Sequence, residues 1–270
     1  MGRKLHFPTD IKLKNNPIVE AWLELRWNLQ TGDAPNILLD PLYPFALGVF
    51  YNSVKDQFKE TEVLPASSMP DGFLPYLVQR RFRAEKDGWP LLQLGPGIAT
   101  VNFAKSYSWT EFKEKALYLR EKVINAYQPN KLGTNALILH YRNSHLFEYS
   151  VNNTFEFLEN LNTHIHLPSN IPGSAISSEF PSQSKILFQF NLNEPKGIGQ
   201  IQIGSGITGN NLDKNDEIII WELEVGSVTP DVPDLADQSG FSTWLENAHS
   251  ILHEWFFSMI DGKLYKEFSE

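Results

Sequence analysis

Glu246, His249 and His253 stand at i, i+3 and i+7 near the end of the chain, which places them on one face of a helix. Two neutral imidazoles four residues apart can grip one metal ion, and Glu-x-x-His is one arm of a carboxylate di-iron site. A di-iron bundle needs a second such arm, and the sequence has none. The zinc-protease order His-Glu-x-x-His is absent too, because Ser250-Ile251-Leu252 separates the two histidines. The reading favoured over a metal is that His249 borders the apolar stripe of its helix and hydrogen-bonds to a loop. No metal and no cofactor is expected.

Arg80, Arg81 and Arg83, with Lys86 close by, form the only dense basic cluster outside the N-terminal arm. Planar guanidinium groups suit phosphate or carboxylate partners, so this cluster is the candidate binding site for a small anionic ligand. Against it stands the reading of a strand face kept in water by its charge. Glu20 with Glu24 and Glu222 with Glu224 make carboxylate pairs along a strand, read as solvated faces in a chain of 32 acidic residues. Gly197-x-Gly199 and Gly204-x-Gly206-x-x-Gly209 lie between strands and not between a strand and a helix, so turns and bulges explain them better than a phosphate loop. His140 and His145 are read as flanking a turn, and His164 and His166 as sitting at a helix end.

The elements that must hold these residues follow from periodicity. Val19, Ala21, Leu23, Leu25 and Trp27 alternate with Glu20, Trp22, Glu24 and Arg26, a strand with one buried face. Tyr43, Leu47, Phe50, Val54 and Phe58 make a helix stripe, with Pro44 in its first turn. Strands are expected over Tyr76 to Ala84, Leu91 to Leu94 and Ile98 to Phe103, the last two joined by Gly95-Pro96-Gly97. A helix over Trp109 to Tyr127 opens on the capping box Ser108 and Glu111. The order then restarts. Ala136 to Arg142 is a strand, Asn153 and Glu156 cap a short helix, and strands follow at Lys185 to Leu192, Ile198 to Ile203 and Glu217 to Val225. The last long helix spans Thr243 to Ile260. A polar loop, His166 to Ser184, and an acidic one, Asp231 to Gly240, remain outside these elements.

Each half reads strand, helix, three strands, helix. The expected organisation is an arm over 1–16, a β-α-β-β-β-α half over 17–130 and a second over 131–270, related by duplication. Leu23-Glu24-Leu25-Arg26-Trp27-Asn28 echoes Leu137 to Asn143 faintly. The fold class is therefore α+β, an antiparallel sheet with helices on one face. The two units would share one sheet about a pseudo-twofold axis, an arrangement analogous to TATA-binding-protein-like and GyrI-like folds.

Composition narrows the function classes. The chain has no cysteine, which removes disulfides, thiolate metal sites and a thiol nucleophile. Net charge is −9, from 23 basic and 32 acidic residues, which argues against nonspecific nucleic-acid binding. No secretory signal and no uncharged apolar stretch of membrane-crossing length is visible, so a cytoplasmic protein is expected. The 18 Phe, 9 Tyr and 7 Trp supply core area and could also line a surface.

Four motifs occur in order: Asn16-Pro17-Ile18-Val19-Glu20, Tyr107-Ser108-Trp109, Leu137-Ile138-Leu139-His140-Tyr141-Arg142-Asn143, and Trp244-Leu245-Glu246-Asn247-Ala248-His249 with Phe256 beyond. Together they resemble a sporadically distributed bacterial protein family of about this length whose function is not established. The resemblance spans Asn16 to Ile260 and implies, loosely, a phage-defence or toxin–antitoxin setting; it supplies no catalytic residues. The leading expectation is a non-enzymatic binding or adaptor protein with a protein partner, docked on the sheet face opposite the long helices or on one of the two loops. The alternatives are a sensor holding a small anion between the halves and a metal-dependent enzyme using the C-terminal helix.

Overall fold

The structure, a computed structural model, describes residues 11, 13–34, 37–70, 72–104, 107–127, 132–147, 154–166, 184–207 and 217–270. Residues 1–10 and 12 of the N-terminal arm, Asn153 and residues 167–183 of the loop after His166 lie outside the described residues.

One strand pair organises the molecule. β1 (Ile18–Trp27) lies antiparallel to β8 (Thr134–Phe147), with Leu23 opposite Leu139. In β1, Ala21, Leu23, Leu25 and Trp27 are buried while Trp22, Glu24 and Arg26 are half-buried, the alternation that period two imposes on a sheet with one covered face. The first segment adds β2 (Gln30–Thr31), β3 (Leu38–Leu39), α1 (Tyr43–Val54), β4 (Glu60–Val63), β5 (Arg80–Arg83), β6 (Leu91–Gly95), β7 (Ile98–Phe103) and α2 (Trp109–Tyr127). The second adds α3 (Thr154–Asn160), β9 (Lys185–Asn193), β10 (Lys196–Ile207), β11 (Glu217–Val228), α4 (Gln238–Ile260) and α5 (Lys263–Ser269).

β2 and β3 form a small ribbon; the other strands join in one antiparallel nine-stranded sheet, ordered β4-β5-β6-β7-β1-β8-β11-β10-β9. The class is α+β, as the periodicity predicts. From the β1–β8 pair outward, each side runs through its strands in reverse chain order, and β4 is the extra strand of the first side. Symmetry of strand order does not establish duplication of an ancestral unit.

The helices pack on one face. Phe50 of α1 meets Phe82, Phe112 of α2 meets Phe103, and Phe157 of α3 meets Trp221. On α4, the Trp244 indole N–H donates to the Ser227 hydroxyl at 2.8 Å. Trp255 closes over β10 so tightly that a Cβ on Gly199 would come within 2.4 Å of its ring. This close approach requires the glycine. Phe268 of α5 packs edge-on against His145.

Several boundaries differ from expectation. β5 starts at Arg80, not Tyr76; Tyr76 takes a positive φ of 61°, which no strand residue adopts. His140 and His145 do not flank a turn, because both lie within the single strand β8. α4 begins inside the acidic loop, capped by the Asp237 side chain accepting from the Ser239 amide at 3.0 Å. Phe58 lies beyond the end of α1 and is still buried. The Ser108 hydroxyl does accept from the Glu111 amide, at 3.4 Å.

Candidate binding face

The face of the sheet that the helices leave open carries the polar residues of every strand pair, because directly opposite residues in antiparallel strands share a face. At its centre Trp22 lies opposite Asn102 on one side and His140 on the other, and Glu20 lies opposite Arg142. Arg142 in turn faces Glu222, and His140 faces Glu224. The alternation of β1 therefore delivers Glu20, Trp22, Glu24 and Arg26 to one surface for the same reason that it buries Leu23 and Leu25.

A chain of polar contacts runs across this surface. Arg81 Nη1 donates to Glu62 Oε2 at 3.1 Å, and its Nε donates to Gln93 Oε1 at 3.3 Å. Gln93 Nε2 donates to Thr100 Oγ1 and to Asn102 Oδ1, at 3.2 and 3.1 Å. Asn102 Nδ2 donates to Glu20 Oε1 at 2.9 Å, and the other oxygen of Glu20 lies 3.5 Å from Arg142 Nη1. Arg142 Nε donates to Glu222 Oε1 at 2.5 Å, and Gln202 Nε2 to Glu222 Oε2 at 3.4 Å. This network touches every strand of the sheet except β9. Gln93, Thr100 and Asn102 are buried, and their mutual hydrogen bonds offset the cost of removing amides from water.

Stacked over the network is an aromatic row. The His140 ring lies parallel to Trp22 with centroids 4.3 Å apart, and the Arg142 guanidinium sits 5.2 Å from the Trp22 ring centre. His140 stands between two acids: Nδ1 is 3.2 Å from Glu224 Oε2, and Nε2 is 3.4 Å from Glu24 Oε1. Burial pushes the pKa of His140 down, but the hydrogen bonds and negative charge of Glu224 and Glu24 outweigh it and hold the pKa above the ordinary histidine value. For Glu24, burial pulls upward; His140 and Arg26 prevail and lower its pKa to about 2. Arg26 holds the second oxygen of Glu24, with Nε at 2.8 Å, and the Trp22 indole N–H donates to the first at 3.2 Å.

The candidate residues named from sequence separate into three places. Arg81 and Arg83 belong to this face, but both guanidinium groups are engaged by Glu62 of β4, Arg83 Nε at 2.6 Å. Arg83 also donates to the Gly88 carbonyl at 2.8 Å and lies over Trp89, while Arg80 Nη1 donates to the Gln79 carbonyl at 3.0 Å. His164 and His166 are exposed just beyond α3. The C-terminal trio lies on the other side of the sheet. Glu246 pairs with Lys113 of α2, across the helix layer. His249 turns into the core, stacked on Trp109 with centroids 3.7 Å apart, and its Nδ1 is 2.7 Å from the Tyr141 hydroxyl, which is 2.6 Å from that of Tyr107.

Burial and the neighbouring His253 lower the pKa of His249 to about 3, so the ring is neutral. Its Nε2 is buried with no hydrogen-bond partner among the described residues. The tautomer with hydrogen on Nδ1, donating to Tyr141, leaves a lone pair there and avoids an orphaned N–H, the less costly arrangement. His249 thus meets the hydrogen-bonding expectation through a strand residue, not a loop. Among the described residues no three His, Asp or Glu side chains are gathered in a way that could hold a metal ion.

No family model, no curated protein and no solved structure matches this chain. The residues themselves carry the argument. Sequence reasoning missed the Trp22–His140–Arg142 row because it read the carboxylates of β1 and β11 as solvated and His140 as a turn residue. The signal was present in the strand alternation, which puts Trp22 on the same face as Glu20 and Glu24. Assigning the partner strand required the β1–β8 register. Among the described residues no helix is long and apolar enough to cross a membrane.

Proposed function

We propose that the chain is a binding protein that recognises a protein partner through the open face of its sheet. The observation that supports this is the row of Trp22, His140 and Arg142, half-buried and set among paired carboxylates on the face that the helices leave open. Tryptophan and arginine are the residues most enriched at energetic centres of protein interfaces, where a rigid ring presents area at little entropic cost. The surrounding ion pairs are already formed inside the chain, so they orient the row before any partner arrives. The surface mixes both signs of charge, which suits a patterned protein surface better than a polyanion. Involvement in a defence or toxin–antitoxin locus is part of the proposal and rests on the motif resemblance alone.

A small anion held by Arg80, Arg81 and Arg83 has less support, since Glu62 already fills the position between two of those guanidinium groups. The test is affinity capture of the full chain with its genomic neighbours co-expressed. A partner retained by the wild type and by Phe45→Ala, but lost from Trp22→Ala and Arg142→Glu, supports the reading. A partner indifferent to both face variants sinks it. Phe45 is an exposed residue of α1, on the far side of the sheet, and serves as the control.

A further inference from the structure

The two edges of the nine-stranded sheet are unlike. β4 is four residues long and carries Glu60 and Glu62, the short, charged form that discourages edge pairing. β9 is nine residues long, Lys185 is its only charge, and among the described residues it has no neighbour on its outer side. Leu187, Phe188 and Phe190 of β9 are 53%, 39% and 44% exposed. The polar network that crosses the rest of the sheet does not reach this strand.

We propose that β9 pairs with β9 of a second copy of this chain, antiparallel about a twofold axis through Gln189, so that two sheets become one. Gln189 is the midpoint of Lys185–Asn193, so this register uses the whole strand. A twofold axis perpendicular to the sheet keeps each side chain on its own face. Phe188 of one copy then lies opposite Phe190 of the other, twice, and Ile186 lies opposite Leu192, twice, all beside the helix layer. Lys185 falls opposite Asn193 of the second copy, so no like charges oppose each other anywhere along the pair. Net charge of −9 disfavours self-association in general, yet β9 carries no acidic residue to repel its own copy. The pairing is independent of what the polar face binds.

Because Gln189 lies on the axis, a charge placed there meets its own copy. Sedimentation velocity of the full chain at micromolar concentration is expected to show a dimer. Gln189→Lys and Gln189→Glu are each expected to sediment as monomers, and their equimolar mixture as a dimer, because the opposed charges are then complementary. Gln189 is exposed, and far-UV circular dichroism spectra matching wild type, with a single cooperative unfolding transition, establish that both variants fold. A monomeric wild type overturns the proposal. So does either variant that dimerises alone as wild type does, or a mixture that stays monomeric.

Discussion

At His140 burial and neighbouring charge pull in opposite directions, and charge prevails. Its raised pKa means that it stabilises the fold fully below the unfolded histidine value and loses that contribution as pH rises through the folded value. Glu24 works in the opposite direction: its depressed pKa gives stability above the ordinary carboxylate value of 4.5, lost as pH falls toward about 2. Glu24→Gln is expected to remove the share of Glu24 in the stability lost between pH 5 and pH 2, on the order of 2–3 kcal/mol. Thermal melts against pH check this, and an unaltered slope refutes it. In the same variant the His140 imidazole is expected to titrate at lower pH by NMR, because one of its two carboxylates is gone. Across the sheet, Tyr141→Phe removes the hydroxyl that joins Tyr107 to His249 in a buried site. A loss of about 1–3 kcal/mol is expected in chemical denaturation, because two polar groups remain buried without their shared partner.

At the scale of elements, α4 and β10 meet through a glycine. Gly199→Val forces the Trp255 ring outward, and an overpacked contact of this kind costs about 1–3 kcal/mol. Urea denaturation reads the loss, and Trp255→Leu in the same chain is expected to recover part of it. Elements of this sort were largely legible in the sequence. The stripes of α1, α2 and α4 and the alternation of β1 appear where periodicity places them, because each buries one face against a single neighbour. β4, the β2–β3 ribbon and α5 went unseen. β4 is Glu-Thr-Glu-Val, without an apolar face, and its place in the sheet comes from Glu62 binding Arg81 and Arg83. Tyr76 to Gln79 alternate as a strand would, but the turn at Tyr76 and the contact of Leu77 with Gly95 set them aside. The binding face was half legible: the strands supplied its residues, but cross-strand register decides which of them touch, and register depends on pairing far along the chain.

For the whole molecule, the nine-stranded sheet makes the two segments inseparable. β1 pairs with β7 on one side and β8 on the other, and β8 continues into β11. A cut between α2 and β8 would leave the two central strands on separate chains, with the buried Leu23 and Leu139 opposite each other across the seam.

The β1–β8 pair also has a temporal consequence. During synthesis β1 leaves the ribosome first, and the strand that completes it follows only after α2 has been made. In that interval the central strand of the finished sheet is an open edge on the side away from β7, its backbone donors and acceptors unpaired, and a nascent neighbour can pair with it before β8 does.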